Sequence, residues 1–259
     1  MPDPVYTINI VAHRLFGSTY QSAADARVDR IAGILGAWSA GSLPRPMVVP
    51  EPDYDHGTTH SEADVQALFS RDPAYHYPRD LTLNDIFEPL SVRFELLRVV
   101  DDPIDSHLAD FAPQSALRGI ARQHNVGHIL NVYFIRDIDG AYGAAQIFSR
   151  HSRYPTYAFV SDRLEDIPEY VTPPETRLAR SLVTMAHELG HVLGLPHMPG
   201  LENLMYSWGT NRDTLTFEAP QIHIARHHAG LVVADQRLLD LRELERGLPS
   251  VRLSPDWLF

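Results

Sequence analysis

The chain has 259 residues, 44% hydrophobic and 21% charged, with a formal net charge of −11. That composition suits a globular protein with a substantial core and disfavours a nucleic acid or an anionic membrane surface as partner. The absence of cysteine excludes disulfides, thiolate metal sites and latency through a cysteine of this chain.

The first ten residues lack the basic region, apolar core and small-residue cleavage site of a signal peptide. No stretch is apolar enough over sufficient length to span a membrane. Residues 5–12 alternate enough to predict a strand, and residues 22–38 predict a helix with Ala24, Val28, Ile31 and Leu35 on one face. Residues 41–60, rich in Pro, Asp, Gly and Thr, predict a loop insertion, with His56 and His60 solvent-facing or hydrogen-bonded. A short helix is expected over 61–69, a strand over 92–100 and a helix over 113–124. Residues 129–135 are apolar throughout, as a central buried strand should be. Residues 146–148 and 156–160 are further candidate strands. Strands alternating with helices predict a mixed α/β sheet with right-handed crossovers.

The acidic pairs Asp53/Asp55, Asp101/Asp102 and Asp137/Asp139 lack the ordered spacing of a calcium loop and read as solvated surface. His124 with His128, and His223 with His227, are each four apart, but neither pair encloses a glutamate or has a third partner. They read as solvent-facing or hydrogen-bonded.

The stretch His187-Glu188-Leu-Gly-His191-Val-Leu-Gly194-Leu-Pro-His197 is of a different order. Its five constraints have a chance probability on the order of 10⁻⁴ in a chain of this length. Thr172-Pro173-Pro174-Glu175 reads as a capping box, and Leu178, Leu182, Met185, Leu189 and Val192 recur at helical steps. A helix over 173–193 follows. On it, His187 and His191 are offset by about 40° and about 6 Å, so both imidazoles face one way. Glu188 stands beside them, able to reach a metal-bound water without being a ligand. Gly194 supplies the left-handed residue that ends helices, letting the chain turn back and deliver His197. Three protein ligands leave the fourth position of a zinc ion for water, which marks a catalytic site.

This pattern resembles the extended zinc signature of the metzincin clan of zinc endopeptidases. The resemblance implies zinc ligation by His187, His191 and His197, with Glu188 as general base. Asn203-Leu204-Met205-Tyr206 resembles the clan's Met-turn, which would set Met205 beneath the metal. Some branches carry a tyrosine two residues after that methionine. Here the position is Ser207, so that role is not transferred, and Met198 after the third histidine matches no particular branch. Leu215-Thr216-Phe217, Gln221 and Arg226 resemble the C-terminal helix of pappalysin-like and related bacterial members. After Gly230, Leu238, Leu241 and Leu244 form the stripe of a closing helix that reads as packing.

What the resemblance implies for the whole chain is an upper subdomain over residues 1–194, with a twisted mixed sheet and long helices. A smaller, mainly helical lower subdomain follows over 195–259, with the zinc at the floor of the cleft between. The strand preceding the active-site helix, near Thr156, Tyr157, Ala158, Phe159 and Val160, would form the cleft's upper edge and hold an extended peptide by main-chain pairing. An ordinary sheet strand fits the same residues. Tyr206, Trp208 and the loop to Phe217 would line the pocket beside the scissile bond. The resemblance also implies a monomer acting on protein or peptide substrates, favours secretion, and leaves calcium possible but unsupported. A catalytically silent zinc module, or a zinc hydrolase of a non-protein amide, would share the metal site.

Overall fold

A computed structural model describes residues 5–18, 52–70, 81–127, 129–148, 156–162, 174–206 and 215–246, with the backbone alone for 174–179 and 237–246. The expected helix over 22–38, together with His128, Thr172, Pro173, Ser207 and Trp208, lies outside the described residues.

The architecture is mixed α/β. Its elements in chain order are β1 (Tyr6–Ser18), β2 (Pro52–Gly57), α1 (Glu62–Phe69), α2 (Leu83–Phe87) with a 3-10 turn at Glu88–Leu90, and β3 (Val92–Ile104). Then come α3 (Ser106–Asp110), α4 (Gln114–His124), β4 (Leu130–Ile135), β5 (Gly143–Ala145), β6 (Tyr157–Ser161), α5 (Pro174–Val192) and α6 (Ala219–Arg246). β1 pairs in parallel with β3 on one side and with β4 on the other; β4 pairs in parallel with β6. β5 closes that end of the sheet, antiparallel to β6.

β4 is buried along its whole length, and its side chains alternate between two apolar layers, as a strand covered on both faces must. Val132 and Phe134 join Ile8, Ile10, Ala158 and Val160 beneath Leu182, Met185, Ala186 and Leu189 of α5. Tyr133 and Ile135 join Leu15 and Phe159 beneath Leu117, Ile120 and Ala121 of α4. The first layer also takes in Leu195, Leu204, Met205, Ala225 and Ala229. One apolar cluster therefore joins residues on both sides of position 194. Among the described residues, no helix is long and apolar enough to cross a membrane.

Several expectations are corrected. β1 runs on to Ser18, past the predicted end at 12, because the polar residues that break its alternation have partners on β3. Arg14 donates both Nε–H and Nη2–H to the Asp101 carboxylate, each at 2.7 Å. Residues 52–57, expected within a loop, form β2, antiparallel to the end of β1. This strand buries little, so no apolar period announces it. Arg136 donates to the Gly57 and Asp55 carbonyls, and Asp110 accepts from His56 and the Gly57 N–H. The strand expected at 146–148 lies instead at Gly143–Ala145. Helix α6 runs unbroken through Gly230.

Asp102, expected as solvated surface, is buried. Its carboxylate meets His13 Nδ1 at 2.5 Å and His124 Nδ1 at 3.2 Å. On the far side of the His13 ring, Nε2 faces Asn131 Oδ1 at 2.8 Å. That amide cannot be reversed, since Asn131 Nδ2 already donates to Asn125 Oδ1 and the Ile129 carbonyl, both at 2.6 Å. The His13 ring thus meets an oxygen on both sides, Asp102 on one and Asn131 on the other. Burial alone would raise the Asp102 carboxyl, but the hydrogen bonds from His124 and His13 outweigh it and hold the group well below its usual range. Its contribution to stability is therefore present above the unfolded carboxyl pKa of about 3.9 and lost as pH falls below it. Asp102→Ala should cost about 3–5 kcal/mol in denaturant unfolding at pH 7. A loss below about 1 kcal/mol would contradict this account of the network.

Candidate metal centre

Helix α5 carries Glu188 and the first two histidines, and its C-terminus turns sharply. The Leu195 N–H donates to the Gly190 carbonyl at 3.0 Å and the Gly194 N–H to the His191 carbonyl at 2.9 Å. Those two bonds close a Schellman motif around Gly194, whose φ of +78° favours glycine. A Cβ there would also come within 2.8 Å of the His228 ring. Beyond the turn, His197 folds back over the helix. Its Nε2 lies 3.1 Å from His191 Nε2 and 3.2 Å from His187 Nε2.

The protonation of two of these rings follows from their other nitrogens. His187 Nδ1 faces the Leu204 carbonyl and His191 Nδ1 faces the Leu195 carbonyl, each at 2.8 Å. A carbonyl oxygen only accepts, so each Nδ1 carries the hydrogen, and in the neutral rings each Nε2 turns a lone pair inward. Burial lowers the His191 pKa, favouring that neutral form. Nitrogen lone pairs crowded at this distance repel unless a cation lies among them. The donor set therefore fits a borderline-soft metal ion that prefers imidazole, such as zinc. Among the described residues this is the one cluster of three or more metal-ligating side chains.

Glu188, next in sequence to His187, is buried and belongs to no ligand set. Its side chain lies close against β5, where a Cβ on Gly143 would stand only 2.6 Å from both Glu188 Cγ and Oε1. Burial pushes its pKa from the ordinary 4.5 up to about 8; a divalent cation alongside would pull it down again. A group raised in this way stabilises the fold fully below its unfolded pKa and loses that contribution as pH rises through the folded value. The metal-free Glu188→Gln variant should therefore gain thermal stability relative to metal-free wild type between pH 5 and 8, levelling off above. Parallel melting curves across that range would contradict the burial of an ionisable carboxyl here.

Met205 is fully buried. A Cβ on Gly190 would meet its sulfur at 2.4 Å, so the thioether packs against the helix backbone between the two histidine positions. The Met198 N–H donates to the Met205 carbonyl at 2.9 Å, joining the segment that carries His197 to this turn. Tyr206 is half-buried at the end of the same turn.

The edge of the sheet near α5 is not β6. Tyr157, Ala158, Phe159 and Val160 are buried on β6, which is paired on both sides, and Thr156 sits at its start. The strand at the edge of the sheet, against Glu188, is β5. Its Gly-Ala-Ala sequence gives no periodic signal. The other histidines divide as well. His223 and His227 are exposed, whereas His60 is buried between Asp162 and Ser181, with its Nε2 2.9 Å from Ser181 Oγ. This chain of contacts ties the segment after β2 to the end of β6 and to α5. The roles of Gly143, Gly190 and the Leu195 and Leu204 carbonyls escaped sequence reasoning. A glycine inside a helix, at position 190, was the one available signal.

No protein-family model matches the chain, and no curated protein sequence does. Among solved structures, it is similar to archaemetzincin from Methanopyrus kandleri, with 14% identity, 93% of this chain and 99% of the other covered, and a TM-score of 0.39. It is also similar to metalloproteinase-II from Bacteroides fragilis, with 12% identity, 88% of this chain and 55% of the other covered, and a TM-score of 0.39. A third similarity is to the GM1-bound form of the ECX AB5 holotoxin, with 11% identity, 74% and 53% coverage, and a TM-score of 0.30.

Proposed function

We propose that this chain is a zinc-dependent endopeptidase of the metzincin type. The observation that carries the reading is the convergence of three imidazoles, with His197 Nε2 within 3.2 Å of both other Nε2 atoms, on a helix that also carries a buried carboxylate outside the ligand set. In this reading His187, His191 and His197 hold one zinc ion. When bound, zinc supplies Lewis-acid polarisation of the scissile carbonyl and acidifies water.

The chain's own residues do the rest. Glu188 takes the proton of the attacking water and passes it to the departing amine. Its carboxylate is seated against Gly143 of β5. The open edge of β5 pairs with an extended peptide, and its small side chains allow that peptide to approach closely. Met205 forms an apolar floor, and Tyr206 belongs to the wall of the pocket. Such a site acts on protein or peptide substrates and needs no partner subunit.

Casein and gelatin digestion, with and without a chelator, tests the reading. Cleavage should stop on chelation and return with about one equivalent of added zinc. Cleavage indifferent to the chelator would refute zinc dependence. No cleavage of either protein or of a peptide library by the zinc-loaded chain would favour the silent module or a non-protein amide as substrate.

A further inference from the structure

We propose that Gln221 and Asn203 are positioning residues for the metal centre, acting on His187 through a single backbone peptide group. The inference rests on the metal-binding reading of the three histidines but not on the peptidase reading. The carbonyl that accepts from His187 Nδ1 belongs to Leu204, and the N–H of the same peptide plane belongs to Met205. That N–H donates to Asn203 Oδ1 at 2.9 Å. The plane is therefore held at both ends, by a candidate ligand on one side and by a buried side-chain amide on the other. Because the oriented group is backbone, no substitution at Leu204 can remove it, and control passes to Asn203.

Asn203 is in turn locked by Gln221. Asn203 Nδ2 donates to Gln221 Oε1 at 2.7 Å, and Gln221 Nε2 donates back to Asn203 Oδ1 at 3.1 Å. Both side chains are buried, at 4% and 2% exposure. Neither amide can flip. Gln221 Oε1 also accepts the Glu218 N–H at 2.8 Å, and Asn203 Oδ1 accepts that of Met205, so two backbone donors identify the two oxygens. The pair thus welds the first turns of α6 to the turn that presents Leu204 and Met205. The Met205 carbonyl then continues the connection to Met198, next to His197. Partners that orient a ligating histidine from behind fix its tautomer and ring direction, and their loss weakens metal binding by about 10–100-fold.

The experiment measures zinc affinity by competition with a chromophoric chelator, together with the visible spectrum of the cobalt(II)-loaded protein. It is done at a temperature where circular dichroism shows each metal-free variant folded. Gln221→Met keeps the volume and removes every hydrogen bond. It should weaken zinc binding by about 10–100-fold and alter the cobalt spectrum. Gln221→Glu keeps the acceptor for Glu218 and Asn203 but loses the donor to Asn203 Oδ1. It should shift both readouts in the same direction by less, and it carries the test if Gln221→Met does not fold. Asp102→Ala, destabilised in the opposite core layer, should keep wild-type zinc affinity. Wild-type affinity in the Gln221 variants, or an equal loss in Asp102→Ala, would overturn the proposal while leaving the metal site standing. A wild-type chain that takes up no stoichiometric zinc would overturn both.

Discussion

Glu188→Gln should lower the turnover number for peptide cleavage by about 10²–10⁴-fold while bound zinc stays near one equivalent per chain. The separation of the two readouts follows from geometry. Three histidines form the donor cluster, and Glu188 lies outside it, seated against the Gly143 backbone. The amide replaces the carboxylate at the same volume, so the seat remains filled and the helix undisturbed. What is lost is the ability to accept a proton. Elemental analysis and steady-state kinetics on the same sample check this directly. Retained turnover in zinc-loaded Glu188→Gln would remove the general-base role, and loss of zinc would make Glu188 a ligand.

His197→Ala should have the opposite signature, with zinc lost first and activity lost because of it. His187 and His191 share one helix face, and a clamp of two imidazoles leaves half of a tetrahedral site to water. His197 reaches them only because the chain reverses at Gly194, and as the exposed member of the cluster it contributes little to the core. Its removal should therefore leave the fold intact while zinc affinity falls by more than the 10–100-fold typical of partners behind a ligand. Dialysed His197→Ala should carry well under one equivalent of zinc and melt at nearly the wild-type metal-free temperature. Full occupancy would place the third ligand elsewhere.

Much of the frame was legible in the residues, because apolar periodicity reports burial. β4 and α5 came out as expected, and the reversal at Gly194 followed from glycine's access to positive φ. β2 was missed because it is a polar strand held by Arg136 and Asp110 rather than by a buried face. Asp102 was misread because its partners lie 89 residues away at His13 and on another element at His124. At the candidate site, the histidines and Glu188 were readable from spacing. The supports behind them were not. The Leu204 and Leu195 carbonyls carry no residue identity, and Gly143 matters only because another segment approaches it. The edge of the sheet is β5 rather than β6 for a similar reason: strand order is a tertiary property, and three small residues announce nothing by themselves.

Zinc K-edge absorption spectroscopy of the chain loaded with one equivalent of zinc reads the ligand set of the three-histidine site. Three imidazole nitrogens at about 2.0–2.1 Å and a remaining first shell of water oxygen are expected, with one imidazole lost in His197→Ala. A shell with no more than two imidazoles, or one completed by a fourth protein side chain, would contradict that ligand set.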